Sequence, residues 1–202
     1  MAPHRWRSAR VLDAVCQVNE HLVSALSELA RLGDVASVVV ERNLDVLRRM
    51  DAAACKRTAR IPVLLLNLNF QSSDWWRRAA TLNGGPWPTT KASANRLPVA
   101  LAVELTRESL IVAWLAVRDS AQSAAMLFGM SDEVARLLGE MSAQQLDRIA
   151  ARESHELRVR WHDNTEFWEQ ILEAGKTGNA ERLCEAHLFG LQLLGGELLS
   201  LR

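Results

Sequence analysis

One segment of this chain occurs twice. Residues 47–76 can be laid over residues 138–167 at a constant offset of 91, and the order of apolar and polar positions is kept. The positions that match are Leu47 and Leu138, Met50 and Met141, Ala52 and Ala143, Arg57 and Arg148, Ala59 and Ala150, Leu66 and Leu157, Leu68 and Val159, Phe70 and Trp161, and Trp76 and Phe167. Two copies of one unit predict a fused dimer with a pseudo-two-fold axis inside one polypeptide.

Apolar residues recur at helical spacing through most of the chain. In the first copy the spacing predicts helices over 9–32, 35–49 and 52–60, and a short one after Ser72 or Ser73. In the second copy it predicts helices over 99–118, 120–128, 131–140, 143–153, 164–173 and 179–200, with a break at Gly175 and Gly178. The last helix has no counterpart in the first copy, so only the second copy carries a C-terminal arm.

Each copy also contains a short stretch with a period of two, which predicts a strand. The stretches are 64–70 and 156–161. Because an isolated short strand is unstable, we expect the two to pair antiparallel across the axis. The apolar positions expected at this interface between the repeats are Leu66, Leu68, Phe70, Leu157, Val159 and Trp161. The predicted fold class is mainly α: a helical pseudo-dimer to which each repeat contributes one short antiparallel strand.

A segment rich in glycine, proline, serine and threonine separates the two copies. It spans residues 81–98 and predicts a linker. The predicted organisation is therefore a first repeat over 1–80, the linker, and a second repeat with its arm over 99–202.

The charge of the chain is balanced, with 24 Lys and Arg against 24 Asp and Glu. No global positive field draws it to nucleic acid or anionic lipid, so any DNA contact needs a local patch or a basic partner. The three cysteines, Cys16, Cys55 and Cys184, are widely spaced and form no Cys-x-x-Cys pair. This spacing indicates neither a disulfide framework nor a zinc site, and we expect no metal and no cofactor.

Catalytic motifs are absent from the sequence. It contains no GxSxG, no phosphate-cradling glycine loop and no HExxH, so we expect neither an enzyme nor a small-molecule substrate. The N-terminal residues lack the apolar region of a secretory signal, and no apolar run reaches the length of a membrane span. We therefore expect a cytoplasmic protein without a membrane segment.

The second copy carries features of one known family. They are Ser123-Ala124-Ala125-Met126, Phe128-Gly129-Met130, the acidic pair Asp132-Glu133, the capped helix after Ser142, Val159-Arg160-Trp161 and, further on, Leu183-Cys184-Glu185-Ala186-His187. With them, residues 121–173 resemble the FlhD family, which together with FlhC forms the bacterial master activator of flagellar operons. In the first copy, Val18-Asn19 and Ala36-Ser37 stand where the family has Ile-Asn and Ala-Ser.

The resemblance implies a symmetric, mostly helical dimer, here fused into one chain. It implies a subunit for transcription regulation that acts with an FlhC-like partner on promoter DNA of flagellar or motility genes. Some members cross-link their dimer through a cysteine in the strand, where this chain has Leu66 and Leu157. No such bridge can form here.

Five residues are candidates for DNA contact. Lys176, Arg182 and His187 align with the family's DNA-proximal arm, beside a helix N-terminus that can hold a phosphate. Arg158 and Arg160 lie on the polar face of the predicted strand, either as phosphate contacts or as a solvated face. If none reaches DNA, the fold serves as a protein-interaction module that regulates a partner. A helical adaptor unrelated to flagella is the third possibility.

Overall fold

The structure is a computed structural model that describes residues 3–35, 37–81 and 97–200, with side chains from residue 9 onward. Residues 82–96 of the predicted linker lie outside the described residues. The described chain is predominantly helical and contains one two-stranded antiparallel sheet. The predicted mainly α fold with one short strand from each copy is confirmed. None of the described helices combines the length and the apolar character that crossing a bilayer requires.

The first copy folds into five helices and one strand within the described ranges. They are α1 (Pro3–Leu32), α2 (Val38–Arg42), α3 (Leu44–Arg48), α4 (Ala52–Thr58), β1 (Leu66–Asn67) and α5 (Ser73–Ala80). Asn43 separates α2 from α3, because its Nδ2 donates to the Val39 carbonyl at 3.0 Å and its backbone leaves the helical region. Such local bonds compete with helix hydrogen bonds. The single helix predicted over 35–49 is therefore wrong.

The second copy repeats this order and adds one helix. Its elements are α6 (Val99–Asp119), α7 (Ala121–Phe128), α8 (Asp132–Glu140), α9 (Ala143–Glu153), a 3₁₀ turn (Ser154–Glu156), β2 (Arg158–Val159), α10 (Thr165–Thr177) and α11 (Ala180–Leu199). The predicted break lies at Gly178, which takes a left-handed φ of 70° at the end of α10. Gly175 lies inside α10, so its predicted part in the break is wrong.

Capping residues recur between the copies at a fixed spacing. Asp51 caps α4 and Ser142 caps α9, and each accepts a hydrogen bond from the backbone N–H three residues on. After the strands, Ser72 caps α5 and Asn164 caps α10 in the same way. The spacing is 91 for the first pair and 92 for the second, so the second copy has one more residue after its strand than the first.

A pair of buried tryptophans places this additional residue. The Trp76 indole donates to the carbonyl of Asn69, and the Trp168 indole donates to the carbonyl of Arg160, each at 3.1 Å. The two tryptophans make the same bond in the two copies, and the added residue lies between Arg160 and Trp168. The predicted match of Trp76 with Phe167 is therefore wrong.

The two strands pair across the copies. Leu66 is opposite Val159 and Asn67 is opposite Arg158, in an antiparallel ladder. This confirms the predicted antiparallel pairing, although the ladder is shorter than the alternating stretches. At the offset of 91, Arg158 is the counterpart of Asn67, so two equivalent positions face each other in the ladder.

Each copy packs one helix on the other copy. The long helices α1 and α6 lie against each other, while α10 packs on α2, α3 and α4 of the first copy. In the corresponding way, α5 packs on α8 and α9 of the second copy. One continuous apolar core results, with residues from both copies.

Arg57 joins the copies at the end of α10. Its Nε donates to the Gly175 carbonyl at 2.7 Å and its Nη2 to the Lys176 carbonyl at 3.3 Å. These are carbonyls of the last turn of α10, where a cation also interacts favourably with the helix dipole. A side chain of the first copy therefore terminates a helix of the second.

Candidate interface at the strand pair and the C-terminal helix

The side chains predicted at the interface between the repeats lie in the core beside the strand ladder. Leu66, Leu68 and Phe70 are fully buried, Leu157 and Val159 are nearly so, and Trp161 is partly exposed. Phe70 stacks on Trp76 and meets Phe128 edge-on, at ring centroid distances of 5.9 Å for both. Aromatic rings from both copies therefore contact each other directly.

Arg158 lies at the margin of this ladder with 28% of its side chain exposed. Its Nη1 donates to the His155 carbonyl at 2.7 Å, and its Nη2 lies 3.8 Å from Glu156 Oε2. The guanidinium is held against its own loop, and a phosphate would compete with a carbonyl and a carboxylate for it.

Arg160 is buried, with 2% of its surface exposed, so the prediction that it shares a polar face with Arg158 is wrong. Its Nη2 donates to the Phe128 carbonyl, while Nε and Nη1 have no hydrogen-bond partner within the described chain. The cause is the C-terminal helix, since Leu194 and Glu197 of α11 lie over this region beside Gly129. Burial lowers the pKa of Arg160 to about 10.

Glu197 is the counter-charge to Arg160. Its Oε2 lies 3.8 Å from Arg160 Nε, its Oε1 accepts from Trp161 Nε1 at 2.7 Å, and Oε2 also accepts from Gln71 Nε2 at 3.4 Å. One carboxylate in the last turns of α11 thus contacts both copies. It fixes the C-terminal arm over the end of the strand ladder.

Lys176 and Arg182 lie in acidic surroundings. Lys176 Nζ is 3.1 Å from Glu173 Oε1, and Arg182 lines an open groove between α10 and α11 with Glu169, Glu173 and Glu185. Carboxylates outnumber cations here, and they repel a phosphate backbone. The groove is better suited to a basic protein segment than to DNA.

His187 is partly buried in α11, on the helix face that includes the buried Ala186 and Gly190. Its Nε2 is buried and has no hydrogen-bond partner among the described residues. Burial lowers the pKa of His187 below its usual value of 6.5, because the charged ring would lose its solvation. A neutral ring in this position contributes to helix docking and carries no charge for DNA at neutral pH.

The lowered pKa of His187 predicts a pH-dependent stability. Below about pH 6.5 the unfolded chain binds a proton that the folded chain does not, so stability is lost as pH falls from the unfolded pKa towards the lower folded value. We expect urea unfolding of His187→Gln to depend less on pH between 7.5 and 5 than that of wild type. His155→Gln, at an exposed position, is the control; equal pH profiles for wild type and His187→Gln would contradict the prediction.

The outer face of α11 exposes large apolar side chains. Leu188, Leu191 and Leu199 are 55%, 42% and 69% exposed, and the exposed Cys184 precedes them one turn earlier on the same face. On a helix this spacing forms one stripe. The arm thus docks through one face and presents a second apolar face outward.

Three side chains that organise this region were not identified from the sequence. Gln71 and Glu197 are 126 positions apart and meet beside Arg160 through Glu197, and Arg57 reaches the end of α10 from the other copy. The only sequence signal for any of them is that Arg57 belongs to the repeated segment. Side chains that act at such long separation leave no local pattern.

The comparisons with known proteins connect this geometry to one family. No curated protein and no solved structure matches the chain significantly. The family model of FlhD, described as a flagellar transcriptional activator, matches residues 103–193. That segment begins within α6, includes β2 and ends within α11 just before Leu194. It contains the whole of 121–173, on which the resemblance rests, so the predicted similarity of this segment to the FlhD family of flagellar transcriptional activators is confirmed.

Proposed function

We propose that this chain is a regulator subunit in which two FlhD-like units are fused, and that it acts with an FlhC-like partner on promoter DNA of flagellar or motility genes. The observation that carries the proposal is the family match over residues 103–193. The proposed site of action is the cytoplasm.

The fused arrangement is supported by the packing of the two copies. The ladder places the equivalent positions Asn67 and Arg158 opposite each other, as an axis through the ladder requires. The helix after each strand packs on the opposite copy, α5 on α8 and α9, and α10 on α2, α3 and α4. In this proposal the first unit spans 1–80 and the second 99–202, and one chain does the work of a dimer.

The charges indicate how DNA affinity is divided in such a complex. The chain has no net charge, and of the five candidate DNA contacts Arg160 is buried and Lys176 pairs with Glu173. A basic partner therefore supplies most of the attraction to phosphate. Arg158 and Arg182 are the two candidates whose guanidinium groups reach the surface.

A second function is favoured by the acidic groove between α10 and α11. Glu169, Glu173 and Glu185 surround Arg182 on the arm that in the family approaches DNA. In this alternative the chain is a protein-interaction module that regulates its partner without touching DNA. Its acidic arm would bind a basic segment of the partner.

A salt titration of the assembled complex separates the two functions. The chain is purified with an FlhC-like partner, and promoter binding is measured by fluorescence anisotropy over a range of salt. If the arm contacts DNA, Lys176→Ala with Arg182→Ala lowers the affinity and flattens the salt dependence by up to about two phosphate contacts. His187→Ala weakens binding as well, by loss of contact or of arm docking.

A matched control removes two other positive charges. Arg107→Ala with Arg136→Ala changes net charge equally at exposed positions whose ion pairs are with Asp147 and Glu140. Equal affinities and slopes for wild type and both double variants would exclude the arm from the DNA interface and support the interaction module. Failure of the chain to bind an FlhC-like partner at all would contradict both functions.

A further inference from the structure

Three potential metal ligands meet where the long helices of the two copies cross. His21 of α1 lies opposite Glu108 of α6, with Nδ1 3.1 Å from Oε1 and 3.0 Å from Oε2. Glu104 precedes Glu108 by four residues and so lies on the same face of α6. One ligand atom from each of the three residues lies within 4.8 Å of the others.

The carboxylates of this group have no fixed cation to balance them. Neither Glu104 nor Glu108 forms an ion pair with a Lys or Arg of the described chain, and Arg107, between them in sequence, turns away to Asp147 at 2.9 Å. Two like charges one helical turn apart destabilise a helix. A neutral imidazole leaves this repulsion uncompensated, whereas a divalent cation would neutralise it.

We propose that His21, Glu104 and Glu108 form a binding site for a divalent transition-metal ion of the Zn²⁺ class. One imidazole nitrogen and two carboxylates are a ligand set that Zn²⁺ and its neighbours accept, and Ca²⁺ and Mg²⁺ prefer oxygen alone. In a tetrahedral Zn²⁺ site adjacent ligand atoms are about 3.4 Å apart. The His21–Glu108 distances are close to this value, and Glu104 completes the site by a side-chain rotation at an exposed position.

The site would connect the two copies. His21 comes from the first copy and both glutamates come from the second, so a bound ion bridges α1 and α6. Binding to the native arrangement alone stabilises it by mass action. The inference is independent of the proposed function, since no ligand lies among the candidate DNA contacts.

The test is metal binding to the full-length chain after treatment with a chelator. Calorimetric titration with Zn²⁺ is expected to show one site, and thermal unfolding to show a higher melting temperature with Zn²⁺ than without. The variants Glu104→Gln and Glu108→Gln are each expected to bind Zn²⁺ at least about tenfold more weakly, because loss of an outer-shell partner alone costs about 10–100-fold. Glu104 is exposed, so Glu104→Gln is expected to fold as wild type. Circular dichroism of each metal-free variant checks this.

Controls separate this site from other zinc ligands on the chain. His155→Asn and Glu28→Gln change residues of the same type elsewhere and are expected to leave the affinity unchanged. Because Cys184 is exposed, the titration is repeated with Co²⁺, whose charge-transfer band reports thiolate ligation; its absence supports the site. Three results would each overturn the proposal. They are no Zn²⁺ binding by wild type, equal binding by wild type and Glu104→Gln, and a thiolate band that disappears in Cys184→Ser.

Discussion

Replacing Gly175 by Ala is expected to destabilise the protein by about 1–3 kcal/mol or more. In an ordinary helix interior this change stabilises by up to about 1 kcal/mol. Here a Cβ on Gly175 would lie 1.8 Å from Thr58 Oγ1 and 3.2 Å from the Ala54 carbonyl oxygen. The change in stability has the opposite sign here because α10 and α4, one from each copy, approach too closely at Gly175 to leave room for a side chain. Urea unfolding followed by circular dichroism measures the difference.

A second substitution, at Thr58, is expected to compensate in part for the destabilisation caused by Gly175→Ala. Thr58 Oγ1 is buried without a hydrogen-bond partner among the described residues, so Thr58→Ala removes the clashing atom at little cost in hydrogen bonding. Residue 58 keeps its Cβ, which would lie 3.0 Å from the new methyl group, so the double variant is expected to regain part of the stability lost in Gly175→Ala. Gly195→Ala is the control, because a Cβ there meets no atom within 4 Å and is expected to stabilise. Similar effects of Ala at 175 and 195 would show that α4 and α10 do not pack as described.

The second large effect is expected on cutting the chain between the copies. A protease site placed within residues 82–96 would yield two pieces that stay associated and elute together at the 22.5 kDa of the intact chain. The reason is that α10 packs on the first copy and α5 on the second, so each piece alone would expose its part of the shared core. Analytical gel filtration of the cleaved protein measures this directly.

Dilution distinguishes the exchanged packing from two autonomous halves. Once the covalent link is cut, unfolding also separates the two pieces. The melting temperature of the cleaved protein should therefore decrease as the protein is diluted, whereas that of the uncut chain should not. As a control, a protease site after Ser200 would release only the C-terminus. Two pieces that separate and each retain cooperative melting would refute the fused pseudo-dimer.

Local chemistry explains which elements could be predicted from the sequence. The caps Asp51, Ser142 and Asn164 act over three residues, and helical spacing acts over one or two turns, so both appear in a short stretch of sequence. The same holds for Gly178, which ends α10 with a left-handed backbone. These signals placed most helices within a few residues of their observed bounds.

The predictions from sequence were wrong where contacts with distant parts of the chain determine the burial of a residue. Alternation puts Arg158 and Arg160 on one face, but α11 covers Arg160 with Leu194 and Glu197, more than thirty residues later. The alternating stretch itself forms a ladder of only two residues in each copy, because a left-handed residue follows each strand, Asn69 with a φ of 51° and Trp161 with a φ of 50°. Nothing in the pattern around Arg160 encodes the helix that covers it.

The pairing of Asn67 with Arg158 bears on how the two copies of the proposed fused dimer can change. In a homodimer, a residue on the symmetry axis faces its own copy, and an arginine there would meet an arginine of the same charge. In this chain the residue opposite Arg158 is Asn67, which carries no charge. A gene that encodes both copies can mutate one side of the axis and leave the other intact, so unlike pairs, and an arm on one side only, become accessible to single substitutions or deletions.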